Sequence, residues 1–537
     1  MDKMATVTYP LPQRPPIAFE SAKDHEDDII QRIVWEQTAQ NLYDHLWTEH
    51  QRRAISSLAA LHVGLDPERQ HQRCVVQEPD GWIRGNFNIC VPVHVLDKAG
   101  SLIRRVLVRC PMGHKLAEDR HPGTVDEKLS TEVATYVWMQ ENCPEVPIPA
   151  LLGFGFTDGR HFTHVQWRPF YVRWARALWR RMRMVLRLPV LSQYVPVLSD
   201  YALQTGYIVL DYIEPKVGKM LSTTWEMHRN DAERRQTLFR GLSRLMLTVA
   251  RLPLPRIGSW HFHDDGTITL SNRPLTCNLV ILENNGAPRI IQPGDTYTCV
   301  EPYIWDLLTL HDGRLHIQPN AAMDEADCRY QMAVQVLLRT LAYGYFDRDR
   351  RHGPFVMQFS DLHASNIFVD SHWNITAVID LEWICARPIE MIDVPYWITG
   401  LGIDQIGKKE HIDEYAKTRE EFITILGEEE RNTAILKLPN VSLAAAMRRA
   451  GECKSSWFVY CLDSVNAMYT IFDQHLRPQF ISFDLTEKMN FFLSKFWCEK
   501  ADELVDRKLR QKHLYDIELR RMFENDVDAT PLVSGKA

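Results

Sequence analysis

The sequence predicts an α+β protein of two lobes, a small β-rich first lobe and a larger helical second one. Three observations carry that expectation. The chain has 537 residues, too many for one simple hydrophobic core. Between residues 74 and 213 short β-branched runs alternate with turn residues. From Leu221 onward apolar residues recur mostly at helical spacing. Strands first and helices later is the pattern of segregated α+β layers, not of alternating βαβ units.

Residues 1–20 are proline-rich and read as extended. Over 24–65 the pattern turns helical, with Ile29, Ile33, Trp35, Leu42, Leu46 and Trp47 interleaved with charges. Cys74-Val-Val, Gly85-Asn-Phe-Asn-Ile-Cys-Val-Pro-Val-His-Val-Leu96 and Leu102-Ile-Arg-Arg-Val-Leu-Val-Arg109 read as a meander of antiparallel strands. A helix over 127–142 should turn Leu129, Val133, Tyr136, Val137 and Trp138 inward. Val146-Pro-Ile-Pro149 stops it, because proline cannot continue a helix. Leu151-Leu-Gly-Phe-Gly-Phe156 and Gly206-Tyr-Ile-Val-Leu-Asp-Tyr-Ile213 read as two more strands, and 232–251 and 327–346 as helices. The expected organisation is an N-terminal helical extension (1–70), a first lobe (71–213), a helical second lobe (214–485) and a C-terminal helical tail (486–537) that closes in a short polar segment.

Composition narrows the function classes. With 45% hydrophobic and 24% charged residues, wholesale disorder is excluded. A net charge of −7 carries no global footprint for nucleic acid. Eleven cysteines without a C-x-x-C pair fit neither a disulfide framework nor a zinc ribbon, which leaves reduced thiols. No apolar run reaches the length of a membrane span, and the N-terminus, with an acid at position 2, lacks the apolar stretch of a signal peptide. The expected location is cytoplasmic, with a mitochondrial one as the alternative.

One stretch stands apart. Residues 159–199 contain no Asp or Glu but eight arginines, from Arg160 to Arg187. Tyr171, Trp174, Leu178, Met182 and Val185 form one helical stripe; Arg173, Arg176, Arg180, Arg183 and Arg187 form another, about 200° round the helix. The simplest expectation is an insertion in the first lobe, spanning about 157–204, that buries its apolar stripe and solvates its arginines. The alternative is a contact made through Arg173–Arg187 with an anionic membrane surface or an acidic protein.

The chemistry concentrates in Asp361-Leu-His-Ala-Ser-Asn-Ile-Phe-Val-Asp370 and Val378-Ile-Asp-Leu-Glu-Trp383. These segments resemble the aminoglycoside phosphotransferase and choline kinase-like family, particularly its large fungal branch, over roughly residues 80 to 400. The resemblance implies a protein-kinase-like fold. It also implies ATP and Mg²⁺ as cofactors, and transfer of the γ-phosphoryl group to a hydroxyl, most simply of a small molecule.

Phosphoryl transfer needs positioning and charge neutralisation more than covalent help from protein. Asp361, on a loop, is placed to accept or orient the attacking hydroxyl. Asn366, five residues on, and Asp380, delivered by the return strand of a hairpin, are oxygen donors suited to a hard cation.

The resemblance extends to the first lobe. Gly85, Asn86 and Asn88 match a shortened phosphate loop, Arg109 and Glu132 the phosphate-binding cation and its helix-borne partner, and Leu210, Tyr212 and Ile213 the adenine hinge. His363 would order the loop and Glu382 would touch the outer metal shell, whereas Glu390 and Asp393 could bind a cationic acceptor. Two residues depart from the pattern: Arg109 stands where kinases carry lysine, and Phe359 where many relatives carry histidine. Lys98 and Lys115 are conceivable stand-ins for the missing lysine. These departures favour the second reading, a non-catalytic binding module on the same fold.

Overall fold

The helical text ahead of the first lobe folds as two helices, α1 (Ile29–Leu46) and α2 (Glu49–Val63). Each starts on a side-chain cap: Asp28 accepts from the amide of Gln31 and Thr48 from that of Gln51. Gly64, at φ +76°, ends α2 in the left-handed conformation that glycine adopts without strain. The computed structural model describes residues 8–11, 14–23, 25, 28–65, 72–432 and 441–527. Residues 1–7 of the extended start and the polar close at 528–537 lie outside the described residues.

Alternating valines build the first sheet. Strands β1 (Arg73–Val76), β2 (Asn88–Leu96) and β3 (Leu102–Pro111) are antiparallel neighbours. Val91, Val93 and Val95 of β2 and Val106 and Val108 of β3 are buried. They pack with Tyr43, Leu46, Ile55 and Leu58, so α1 and α2 cover the outer face of the sheet. Helix α3 (Thr124–Asn142) follows, then β4 (Leu151–Gly155), β5 (His161–His164), helix α4 (Phe170–Val185), β6 (Tyr194–Val197) and β7 (Tyr207–Asp211). The spatial order is β1-β2-β3-β7-β4-β5-β6, with the short strand Ile83–Arg84 also paired to β2.

The second lobe is mainly helical. Its longer members are α5 (Ala232–Ala250), α6 (Cys277–Asn284), α7 (Val300–Ile317), α8 (Glu325–Leu341), α9 (Ile412–Asn432), α10 (Leu443–Glu452), α11 (Ser455–Asp463), α12 (Glu487–Ser494) and α13 (Ala501–Val527). One apolar cluster runs from Leu129 and Val133 of α3 through Phe239 and Leu242 to Phe422 and Phe458, so the lobes share a core. The chain is α+β, with a β-rich first region and a helical second one, as its text predicts. The ends meet: the hydroxyl of Tyr515 accepts from the amide of Ile29 at 2.8 Å.

Two expectations are corrected. The second lobe also carries a hairpin, β8 (Ser259–Phe262) and β9 (Ile268–Asn272), which packs against α3. The arginine-rich insertion is the reverse of expectation: α4 has no buried residue, the middle of its arginine stripe (Arg176, Arg180 and Arg183) faces the protein, and its apolar stripe faces out. The reason is the backbone beneath it. Arg176 donates to the carbonyls of Ser192, Tyr194 and Gly266, and Arg180 to that of Leu191. These carbonyls at the sheet edge and its loops need donors, and a guanidinium supplies several at once.

Candidate active site

A hairpin in the second lobe brings the three motif residues together. Strand β10 (Phe355–Phe359) pairs antiparallel with a later strand, β13 (Ile384–Pro388), and Phe359 lies opposite Ile384. The chain then loops through 361–366 into β11 (Ile367–Val369) and β12 (Ile375–Val378). Ile367 pairs with Val378, and the amide of Ile379 donates to the Asn366 carbonyl at 2.9 Å. Asn366 and Asp380 therefore meet at the root of the hairpin. The side-chain amide of Asn366 donates to the Asp361 carbonyl at 3.0 Å, which folds the loop back on itself. Asp380 sits at φ +59° and ψ +63°, a left-handed conformation that aspartate tolerates better than most residues.

Above the hairpin lies a buried cluster of charge. The Arg109 guanidinium, on β3, contacts Glu132 of α3 and Asp380, and reaches Glu382 at 3.1 Å. Lys128, one helical turn before Glu132, contacts Glu132 at 3.1 Å and also pairs with Glu382. The amide of Asn88 accepts from Lys128 at 3.1 Å and donates to Glu382 at 3.0 Å. Burial would push the Glu382 carboxyl up, but Arg109 and Lys128 outweigh it and hold Glu382 below its ordinary value. Burial alone would lower Arg109, yet Asp380, Glu132 and Glu382 raise it well above its usual range. Taking these charges out of water is offset only because each has a partner.

Asp361 borders a cavity of the second lobe. It lines this cavity, of about 870 Å³, with Cys277, His363, Asp393, Tyr396 and Arg387. Burial, then the negative charges of Glu382 and Asp380, pushes the Asp361 carboxyl up to about 7. Burial and the Asp361 charge raise the Cys277 thiol far above its usual value, so it stays protonated. Burial lowers the His363 imidazole from its ordinary value.

The other expected site residues divide. Asp393 lines the same cavity; one oxygen accepts from Arg419 at 2.9 Å, and the other is buried without a hydrogen-bond partner among the described residues. Glu390 does not reach it: its carboxylate accepts from the amide of Asp347 and borders a separate cleft with Arg350 and Arg449. Gly85 and Asn86 form an exposed turn closed by the Gly85 amide on the Asn88 carbonyl at 2.9 Å. A Cβ at Gly85 would stand 3.5 Å from that carbonyl, an ordinary contact, so packing does not require glycine there. The side chain of Asn88 is committed to the charge cluster.

In the expected hinge Leu210 is buried opposite Leu107, and Tyr212 and Ile213 are half-buried. The Tyr212 amide points to the Arg105 carbonyl at 3.4 Å. Ile208 lies opposite Arg109, so Tyr212 is four residues further along the strand, roughly 13 Å away at the usual rise. Neither Lys98, exposed in its turn, nor Lys115, set over the Trp35 ring, belongs to the cluster.

Sequence reasoning missed Lys128, whose only local signal is its spacing of four from Glu132. It also missed Cys277, and the edge-to-face contact of Phe87 with Trp383 at 5.0 Å, which no local pattern announces. The segment Ser271-Asn-Arg-Pro-Leu275 holds the lobes together through its arginine. Arg273 is fully buried, donates to both carboxylate oxygens of Glu127 at 2.7 and 3.0 Å, and also pairs with Glu283.

Comparison with known proteins adds little. No protein-family model matches the sequence, and no curated protein matches it. Among solved structures, a macrolide 2'-phosphotransferase type I aligns at 13% identity with a TM-score of 0.27, covering 81% of this chain and 99% of that one. That score is too low to carry the fold, which rests on the topology above; the fungal branch of the family finds no support here.

Proposed function

We propose that this chain is an ATP- and Mg²⁺-dependent phosphotransferase that moves the γ-phosphoryl group to a hydroxyl of a small acceptor. One observation carries the reading. Asp361 opens onto a cavity of about 870 Å³, while Asp380, on the adjoining hairpin, contacts Arg109 of the charge cluster, and Asn366 is bonded to the Asp361 carbonyl between them. A cavity of that volume suits a small-molecule ligand.

The donor set fits a magnesium ion. Among the described residues no group of three His, Cys, Asp or Glu could hold a metal. Magnesium needs no such cage, since it is usually bound by one or two carboxylates together with substrate phosphates and water. Asp380, whose carboxylate is one-third exposed, and Asn366 would hold it. When bound, the ion neutralises charge on the β- and γ-phosphates.

The chain's own residues supply the rest. Asp361 orients the acceptor hydroxyl and takes its proton. Arg109 and Lys128 place two fixed positive charges beside the transferring group. Leu210, Tyr212 and Ile213, two, four and five residues beyond the position opposite Arg109 and so roughly 7 to 16 Å from it, offer the adenine a surface within reach of an extended nucleotide.

A second reading, a nucleotide-responsive module without turnover, is favoured by the contact of Arg109 with Asp380, which engages the carboxylate that the first reading needs. A phosphorylation screen of small alcohols with the full chain separates the two. Transfer to at least one acceptor, lost in Asp361→Ala, supports the enzyme. Mg·ATP binding with no acceptor across the panel supports the module, and no Mg·ATP binding at all sinks both.

A further inference from the structure

Among the described residues nothing covers the outer face of helix α4. Phe170, Trp174 and Val185 are 80%, 70% and 82% exposed, and Tyr171, Leu178 and Met182 are exposed on the same face. Trp179 and Met184 widen the stripe, and Leu186 and Leu188 continue it past the helix end. Sixteen residues at the usual rise make the stripe about 24 Å long. Water-facing apolar text of this length is unusual on a protein surface and marks a binding face.

The helix is also held rigidly. Arg176 and Arg180 anchor it to backbone carbonyls, Arg180 pairs with Glu141 at 2.7 Å, and Arg183 pairs with Asp265 at 3.1 Å. With the inner face anchored at these points, the outer face is presented as a ridge.

What would cover it follows from charge and residue type. Arg173, Arg181 and Arg187 are exposed and make no ion pair among the described residues. Arg181 borders the apolar stripe, and Arg173 is the exposed N-terminal member of the arginine stripe. No acidic residue occurs anywhere between 159 and 199. Three tryptophans, Trp167, Trp174 and Trp179, with Phe170 and Tyr171, are the residues that settle at the boundary between headgroups and acyl chains. Long arginine stems let the charges reach anionic headgroups while the stripe sinks below them.

We propose that α4 is a membrane-docking helix that lays its Phe170–Val185 stripe into the surface of an anionic bilayer and sets the first lobe against it. No helix among the described residues is long and apolar enough to cross a membrane, so the attachment is peripheral. A soluble protein partner and a second copy of this chain are the competing occupants.

Flotation of the full chain with vesicles of phosphatidylcholine, and of phosphatidylcholine with an equal share of phosphatidylserine, tests this. The chain should float with the serine-containing vesicles and more weakly with the neutral ones. The double variant Trp174→Glu, Leu178→Glu should reduce the bound fraction about tenfold or more with its melting temperature unchanged, since both positions face solvent. Arg173→Glu with Arg181→Glu should remove the preference for serine. Trp174→Phe, which keeps the stripe apolar, should still float while losing part of the fluorescence quenching by brominated acyl chains. No flotation with either vesicle, or flotation indifferent to the double variant, overturns the proposal. So does a wild-type dimer in light scattering that Trp174→Glu makes monomeric without any vesicle binding, because the stripe is then an interface between copies.

Discussion

The guanidinium of Arg109 spans Glu132 and Asp380, so one side chain on β3 ties helix α3 to the root of the β11–β12 hairpin. The two lobes are joined through charge at the point where chemistry is proposed. Arginine suits that position because its planar fork engages two carboxylates at once, which a lysine ammonium does less well.

Removing that fork should be expensive. In Arg109→Ala the fully buried Glu132 keeps only Lys128, and the loss should be about 3–5 kcal/mol, the scale for breaking a buried ion pair. Arg109→Lys keeps the charge and should lose less. Urea denaturation of the three proteins checks this, and an Arg109→Ala protein as stable as the wild type contradicts it.

Asp361 should make the magnesium-free protein less stable at alkaline pH. Its carboxyl titrates at about 7 in the fold, against 3.8 when unperturbed. A raised acid prefers to be protonated in the folded state. Its contribution is therefore fully present below the unperturbed value and is lost as the pH rises through the folded one. Asp361→Asn, which mimics the protonated acid, should melt above the wild type at about pH 8 and converge with it toward about pH 4. Melting curves in chelator across that range test it. A gap that does not change with pH contradicts it.

Arg273 should be structural. It is fully buried between Glu127 of α3 and Glu283 of α6, and it fastens the first lobe's helix to the second lobe. Arg273→Ala should cost about 3–5 kcal/mol, and Arg273→Met less, because the methionine refills the space. Chemical denaturation should rank wild type, methionine and alanine in that order, and near-equal midpoints would refute the assignment.

What the text made legible follows from range. Asp361, Asn366 and Asp380 fall within twenty residues, and a hairpin whose strands are readable fixes their meeting. The pairing of Arg109 with Glu132 was legible for a similar reason, as a strand end and the helix after it. Lys128 was not, because nothing local says that it points toward Glu382, more than 250 residues on. Periodicity found both stripes of α4 but could not say which would dock, since that depended on carbonyls around residues 191, 192, 194 and 266. Glu390 and Asp393 looked equivalent in the text. The short turn of helix Ile389–Met391 sends one to a side cleft and the other to the cavity.

The central claim is that Asp361 acts on a phosphoryl acceptor. It is tested most directly by comparing steady-state turnover of ATP in Mg²⁺, with water or an identified alcohol as acceptor, between the wild type and Asp361→Ala. The account predicts that the variant still binds Mg·ATP, because Asn366, Asp380 and Arg109 are intact, but that turnover falls by about a hundredfold or more. Equal turnover in the two proteins would contradict it.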